Sequence, residues 1–485
     1  MTTIRTRLGT VRGIDRDGVS VFLGLPYAAP PTGGLRWRSP QPAPPWSGTL
    51  DATRHPNRCP QPPYPEVLAG PEIPGQQSED CLYLNVHTPA ADRAGRPVIC
   101  WIHGGGYLQG SANEYDGSVL AREQDCVVVT INYRLNVFGF CDVSALGDAY
   151  AGGVSRGFED QIAALRWIRD NIADYGGDPG CVSIWGESGG AGSVLALQGA
   201  PAAEGLFHRS VAFSPGDIGI GILPVPDAAG ALAAHLGIES DLEARLQALP
   251  ADELFALYLQ GAAPTAQTVD GTVITQPTAE AIARKGAGGP PLIAGSNRDE
   301  GSYLADLGGP APMGLDIVMA LFLPLINPHS PEDYVSHFDG LLPGADEVAR
   351  VAQVWCDLFR SASLRNAEAA TNAGAGGWVY NFEVPTDHPL GITHGCDIAF
   401  TFNQFAMAKP GLVSFHESTD ENRAIARLWG ASLVQFARTG DPNGAGLPEW
   451  PRYDGASRSC LIFDDDPHVA ADPDGDEVRR AYGLS

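Results

Sequence analysis

The sequence is that of a large and strongly acidic protein. Its 485 residues are 44% hydrophobic and 18% charged, a composition that excludes disordered and low-complexity chains. The 57 acidic and 31 basic residues give a formal net charge of -26, which repels nucleic acid and anionic membrane surfaces. The most apolar run, residues 317–326, is too short to span a bilayer and contains a proline. We therefore expect a soluble protein with no nucleic-acid or membrane partner.

The N-terminus and the cysteines predict where the protein works and what it binds. Residues 1–14 alternate in the manner of a strand and lack the regions of a secretory signal peptide, so the sequence as given predicts a cytoplasmic protein. The chain has nine cysteines but no CxxC or HExxH spacing, which argues against a zinc or iron–sulfur site. We expect no metal and no cofactor.

Short apolar runs alternate with longer amphipathic ones along the chain. This pattern predicts an α/β protein with a mostly parallel sheet covered by helices. A less regular stretch at 302–344 is interpreted as a cap or insertion beside an active-site mouth, and the proline-rich stretch 24–48 as an ordered loop. The predicted central strands lie at 97–104, 126–133, 181–186, 210–215, 291–296 and 378–384, and the predicted helices at 158–176, 225–255, 345–372 and 418–438.

Two serines stand in a GxSxG pattern, which often presents a nucleophile. Ser188, in IWGESGG, follows a predicted strand and precedes a predicted helix, as a nucleophile elbow requires. Ser155, in GVSRG, follows no strand and is better explained as a polar residue near a helix start. The context favours Ser188.

A serine nucleophile needs a base, a group that orients the base and donors for the oxyanion. The loop HGGG, His103 to Gly106, follows a predicted strand and can aim backbone amides at a substrate oxygen. Downstream of the serine, Asp299 and Glu300 are equal candidates for the acid. His394 is the favoured base, with His388 its nearest competitor.

Several further motifs give the chain a recognisable identity. FLGLPYAAPPTGGLRWRSPQP, SEDCLYLNVHTP, HGGGYLQGS, INYRLNVFGF, IWGESGGAGS, AGSNRDEGSYL, THGCDIAFTF and FARTGDPN occur in this order. The sequence resembles the type B carboxylesterases nearly from end to end. That resemblance implies one α/β-hydrolase domain over residues 1–485.

The resemblance also implies a role for each site residue. Ser188 would be the nucleophile, His394 the general base and acid, and Glu300 the carboxylate that supports the imidazolium. The amides of Gly105, Gly106 and Gly189 would form the oxyanion hole. Glu187 and Ser214 would lie next to the triad, with Glu187 near the imidazole and Ser214 near the acid.

Outside the site, the resemblance implies two structural ion pairs and a cysteine pair. The ion pairs are Arg36 with Glu79 and Arg134 with Asp160. Cys59 and Cys81 stand where secreted members of the family close a disulfide, and the sequence leaves the oxidation state of this pair open. Two residues depart from the family pattern: Gly189 replaces the usual alanine, and Asn136 stands where glycine is common.

These features predict a serine carboxylesterase that cleaves small esters through an acyl-enzyme on Ser188. The acidity and Glu187 favour neutral or cationic, partly apolar substrates. An amide, carbamate or thioester hydrolase with the same mechanism stays an alternative, as does a non-catalytic binding or adhesion protein of the same fold. The apolar residues 319–325 could line the acyl pocket or pack on the core as a helix.

Overall fold

The computed structural model describes residues 1–64, 72–216, 225–305, 314–327, 329–405 and 416–484. Within these ranges, thirteen strands form one sheet. The strands are β1 (Thr2–Thr6), β2 (Gly9–Arg16), β3 (Val19–Pro26), β4 (Thr49–Asp51), β5 (Tyr83–Thr88), β6 (Arg96–Ile102), β7 (Val127–Ile131), β8 (Gly177–Glu187), β9 (Arg209–Phe213), β10 (Leu292–Asn297), β11 (Gly377–Phe382), β12 (Ser459–Phe463) and β13 (His468–Ala471).

The order of the strands is β1-β2-β3-β5-β7-β6-β8-β9-β10-β11-β12-β13, and β4 pairs with β2. Pairing is parallel from β7 to β12 and antiparallel at both flanks. All six predicted central strands lie in the parallel part, which brings their carboxyl ends to one edge of the sheet.

Helices connect the parallel strands and cover both faces of the sheet. They are α1 (Ser118–Gln124), α2 (Asn136–Gly139), α3 (Arg156–Asn171), α4 (Gly189–Ala196), α5 (Ala228–Leu236), α6 (Leu242–Gln247), α7 (Ala251–Leu259), α8 (Thr278–Lys285), α9 (Gly301–Leu304), α10 (Leu315–Ile326), α11 (Pro331–Leu341), α12 (Glu347–Asn372), α13 (Cys396–Phe402), α14 (Asp420–Thr439) and α15 (Gly475–Ala481).

The helix predictions were right in place and partly wrong in extent. The helix predicted over 158–176 ends at Asn171 and continues as a 3-10 turn to Tyr175, because Gly176 takes a left-handed φ of 90°. The segment 225–255 holds three helices rather than one, since Gly237 terminates α5 with a φ of 64° and Pro250 precedes α7. Residues 319–325 lie in α10, where Phe322 packs on Trp355 of α12.

Burial on both faces explains the continuous apolar runs. Along β6, Val98, Cys100 and Ile102 belong to the core on one face, whereas Ile99 and Trp101 belong to the core on the other. A third apolar cluster joins α10, α11 and α12. None of the described helices is both long and apolar enough to cross a membrane.

Two buried ion pairs fix the loops that surround the sheet. Arg36 donates from Nε and Nη2 to the two oxygens of Glu79, each at 2.6 Å, and from Nη1 to the carbonyls of Leu246 and Leu249. Arg134 makes the same bidentate contact with Asp160, each bond 2.7 Å long. Both pairs therefore connect segments that are far apart in the sequence.

The buried Arg134–Asp160 ion pair is expected to contribute far more to stability than an exposed ion pair. Arg134→Gln leaves the Asp160 carboxylate buried without its partner, so the free energy of unfolding should fall by roughly 3–5 kcal/mol. Arg93→Gln is the control, because Arg93 is 75% exposed in its pair with Asp174 and should cost less than about 1 kcal/mol. Urea unfolding followed by circular dichroism measures the free energy of unfolding of both variants. Equal losses would contradict the larger contribution expected of the buried pair.

Candidate active site

Ser188 stands on a sharp turn between β8 and α4. Its backbone has φ 56° and ψ -121°, a strained conformation for a residue with a side chain. The turn is held on both sides, since the Ser188 amide donates to the carbonyl of Phe213 at 3.0 Å and its carbonyl accepts from Gly192 at 2.9 Å. The side chain is only half-buried and sits at the carboxyl edge of the sheet.

The glycines beside Ser188 are required by close backbone packing. A Cβ on Gly190 would lie 2.0 Å from the carbonyl oxygen of Ile102, and a Cβ on Gly186 would lie 2.5 Å from Gly190. A side chain at 190 would push the turn away from β6, and a side chain at 186 would push the start of α4 away from β8. The GxSxG pattern at 186–190 is thus a steric requirement of this turn.

The glycine loop after β6 lies against the same turn. Gly105 and Gly106 have φ values of 98° and 61°, and a Cβ on Gly189 would lie 3.2 Å from the Gly106 nitrogen. Within the described residues, the amides of Gly105 and Gly106 donate no hydrogen bond, and Gly189 is the first residue of α4, where amides have no helical acceptor. The glycine loop and the first turn of α4 thus pack against each other beside Ser188.

His394 and Glu300 form a buried pair. The Nδ1 proton of His394 is donated to Glu300 Oε2 at 2.5 Å. The other oxygen, Oε1, accepts from Ser214 Oγ at 2.5 Å and from the Asn297 amide at 2.6 Å. These donors stabilise the ionised form of Glu300 and fix its orientation.

Glu187 contacts the opposite side of the imidazole. Its Oε1 lies 3.0 Å from His394 Nε2, and within the described residues Ser188 Oγ makes no hydrogen bond. Burial alone would lower the pKa of His394, but the charges of Glu187 and Glu300 and their hydrogen bonds raise it to about 10. The two carboxylates therefore favour the protonated form of the imidazole.

The loop that carries His394 is held by its neighbours. Asp299 accepts the Ile392 amide at 2.8 Å, and Phe359 of α12 stacks on the imidazole with ring centroids 4.5 Å apart. Asp299 and Glu300, which the motifs left as equal candidates, thus have different positions. Glu300 contacts the imidazole, whereas Asp299 contacts the backbone of the histidine loop.

Comparison with known proteins shows the family of the chain. The carboxylesterase family model matches residues 1–317 and 344–479. The chain belongs to the carboxylesterase family. The para-nitrobenzyl esterase of Bacillus subtilis is 32% identical over 99% of this chain and 98% of its own length, and carboxylesterase 1D of Mus musculus is 36% identical over 90% and 84%.

Solved structures of carboxylesterases share the fold of this chain. A carboxylesterase of Geobacillus stearothermophilus superposes with a TM-score of 0.83 at 35% identity, covering 99% of this chain and all of its own. A PNB esterase superposes with a TM-score of 0.88 at 30% identity over all of both chains. The fold is thus that of an α/β-hydrolase, and the chain is a carboxylic ester hydrolase.

The competing candidates from the sequence lie elsewhere in this carboxylesterase. Ser155 is fully buried at the start of α3, and its hydroxyl has no hydrogen-bond partner among the described residues. His388 lies in a turn where its Nδ1 accepts the Leu390 amide, and it does not contact Glu300. His103 is buried with its ring stacked on Tyr133 at 4.4 Å, so its role is to pack the glycine loop.

Asn136 is one of the two residues at which this chain departs from the family pattern. Asn136 has a positive φ of 43° and donates from Nδ2 to the carbonyls of Pro60 and Leu108. Glycine could adopt this φ but could not bridge the two loops.

Cys59 and Cys81 are buried free thiols that contact each other. The hydrogen bond with the Cys59 side chain, together with burial, holds the pKa of Cys81 well above its usual range. In this structure the pair, whose oxidation state the sequence leaves open, is present as two thiols.

Two contacts of the site have no motif that predicts them. Asn297, at the end of β10, contributes its amide to Glu300, and Phe359 reaches His394 from the middle of α12. Phe359 lies in none of the motifs, and Asn297 lies within AGSNRDEGSYL but has no role assigned by that motif. Only the position of Asn297 at the end of a predicted strand, three residues before Glu300, could have drawn attention to it.

Removing the charge of Glu187 should change the pH dependence of hydrolysis. A general base must be neutral to act, and Glu187 favours the protonated imidazole. Glu187→Gln should therefore lower the pKa of His394 and move the acid limb of the pH profile of kcat/KM down by about 1 to 3 pH units.

The measurement is hydrolysis of p-nitrophenyl acetate between pH 5 and 10. Glu253→Gln, on the exposed face of α7, is the matched control and should leave the profile in place. An unchanged acid limb in Glu187→Gln would show that Glu187 does not set the protonation of His394.

Proposed function

We propose that Ser188, His394 and Glu300 are the catalytic triad of this ester hydrolase. The observation that carries the proposal is the convergence of three features at one sheet edge. They are the strained turn that exposes Ser188, the buried His394–Glu300 pair and the three amides of Gly105, Gly106 and Gly189.

The reaction proposed for these residues has two halves. His394 Nε2 first gives up its proton to solvent, exchanges Glu187 for Ser188 Oγ, and then takes the hydroxyl proton as the oxygen adds to the ester carbonyl. The three amides bind the oxyanion, and loss of one such donor typically costs about a hundred- to a thousandfold in turnover. The alcohol leaves with the proton from His394, and water then releases the acid with His394 again as base.

We further propose that Ser214, Asn297 and Asp299 position the triad without touching substrate. Ser214 and Asn297 hold one oxygen of Glu300 so that the other faces His394. Asp299 holds the histidine loop. In the same way, the ion pairs of Arg36 and Arg134 act as structural supports for the surrounding loops.

The charges around the site support a preference for neutral or cationic esters. Burial, followed by the charges of Glu114 and Glu187, holds the pKa of Tyr115 well above its usual range. Burial, Glu187 and Glu300 do the same for Tyr303, whose ring lies 6.1 Å from that of His394. Carboxylates beside aromatic rings favour a cation and oppose an anion.

An activated serine is expected to react with a fluorophosphonate. The probe should give one adduct, on Ser188, because only a serine with a base and an oxyanion hole is strongly nucleophilic. Ser188→Ala should abolish the adduct and reduce hydrolysis of p-nitrophenyl acetate by at least about a thousandfold. Intact mass and peptide mapping measure the label.

Ser155→Ala is the matched control and should keep both label and activity. A folded protein without an adduct would overturn the proposed triad and favour a non-catalytic binding or adhesion protein of the same fold. Matched ester, amide and thioester substrates with the same acyl group then separate the bond types, and we expect the ester to be cleaved fastest.

The charge preference is tested with acetylcholine and its neutral isostere, 3,3-dimethylbutyl acetate. We expect kcat/KM to favour the cation roughly two- to thirtyfold, the range that one cation–π contact provides. Glu114→Gln should reduce this ratio, and Glu253→Gln should not. A ratio near one in the unsubstituted protein would contradict the preference while leaving the triad intact.

A further inference from the structure

A second cavity lies at the edge of the sheet opposite Ser188. It has a volume of about 610 Å³ and adjoins the amino ends of β8, β9 and β10. Its walls are formed by Gly180, the segment 203–209, the end of α8 and residues 288–290. Since Ser188 follows the carboxyl end of β8, the sheet separates this cavity from the active site.

The charge of this cavity is opposite to that of the protein. Arg209, Arg284 and Lys285 line it with a single carboxylate, that of Glu204. Glu204 pairs with Arg284 at 3.1 Å, while neither Arg209 nor Lys285 forms a salt bridge within the described ranges. In a chain with a formal net charge of -26, a cavity with three cations and one carboxylate favours an anionic ligand.

Several polar hydrogens are available to such a ligand. Arg209 donates from Nη2 to the Arg438 carbonyl at 3.2 Å, but its Nε is buried and has no partner in the described part of the chain. His208 Nδ1 accepts the Val182 amide at 3.1 Å, which leaves the ring proton on Nε2. Because Nε is buried, a ligand in the cavity would accept from the Nη groups of Arg209 and from the Nε2 proton of His208.

Lys285 is held in an environment that disfavours its charge. Its Nζ donates to Gln198 Oε1 at 3.2 Å and lies 5.9 Å from the centre of the Phe207 ring. Burial and the neighbouring Arg284 lower the pKa of Lys285 to about 8, although Glu204 opposes them. An anion in the cavity would replace part of the solvation that this amine has lost.

The cavity also has room for more than an ion. No atom lies within 4 Å of where a Cβ would stand on Gly205 or Gly288, so the walls are open there. A volume of about 610 Å³ falls in the range of small-molecule sites. The ligand can therefore carry an organic group beside its charge.

We propose that this cavity binds the dianion of a phosphate monoester. Arg209, Arg284 and Lys285 hold the phosphoryl oxygens, because a guanidinium pair and an ammonium together match their number and charge. The organic group lies toward the glycine wall. This site is separate from ester hydrolysis and does not depend on the triad.

The scarcity of lysine allows a direct test with an aldehyde probe. The chain has two lysines, Lys285 and Lys409, and Lys409 lies outside the described residues. Pyridoxal 5'-phosphate forms an imine with an amine, with loss of water, and borohydride reduces the imine to a stable label. Peptide mapping then measures the label on each lysine and on the N-terminus.

We expect pyridoxal 5'-phosphate to label Lys285 at least about tenfold faster than pyridoxal, which has no phosphate. Phenyl phosphate should protect Lys285 more strongly than inorganic phosphate at equal ionic strength. Equal protection by the two would overturn the monoester and leave free phosphate as the ligand. Equal labelling by both aldehydes, with no protection, would overturn the site altogether.

Variants separate binding from labelling. Arg209→Gln should remove the preference for the phosphorylated aldehyde, whereas Arg5→Gln, at an exposed position of β1, should keep it. Lys285→Arg keeps the charge and should retain the rise in melting temperature with phenyl phosphate. Retention of the full rise in Arg209→Gln would indicate an effect of ionic strength alone and overturn the site. All three variants should hydrolyse p-nitrophenyl acetate at the unsubstituted rate, so failure of this site is distinguishable from failure of the triad.

Discussion

The close approach of two backbones, β6 and the turn after β8, is the constraint on which the site depends. Gly190 lies so near the Ile102 carbonyl that a single methyl group would not fit. This contact forces Ser188 into a left-handed conformation and brings the glycine loop after β6 beside it. Ser188 and the proposed oxyanion donors are therefore positioned by the same contact.

The site also depends on the distribution of charge around His394. Glu300 has its orientation set by Ser214 and Asn297, and Glu187 faces the other nitrogen of the ring. The two carboxylates stabilise the imidazolium that forms during the reaction, but they also stabilise it before the reaction starts. The resting geometry thus favours the transition state at the cost of a less available base, and the exchange of Glu187 for Ser188 becomes a step of the mechanism.

The fold could be predicted, and the site residues proposed, because their signals are local. Ser188 is identified by a strand, a tight turn and a helix within one short segment, and the glycines around it are dictated by sterics. The choice between Asp299 and Glu300 could not be made from residue pattern, because adjacent acids at a strand end differ only in the direction of their side chains.

Contacts between distant segments were beyond the reach of sequence patterns. Phe359 stacks on His394 only because α12 passes behind the histidine loop, and the hydrophobic spacing of a helix does not identify its partner. The error over 225–255 has a local cause, since three helices with one apolar face resemble a single helix until the conformations of Gly237 and Pro250 are known. The free thiols of Cys59 and Cys81 depend on redox conditions that spacing does not encode.

The near absence of lysine has a practical consequence for handling this enzyme. Every ion pair of the described residues uses arginine or histidine as the cation, so amine-directed chemistry leaves those pairs intact. A support coupled through Lys285 would hold the molecule by the edge of the sheet opposite Ser188, and immobilisation in this orientation leaves the entrance to the ester site facing the solution.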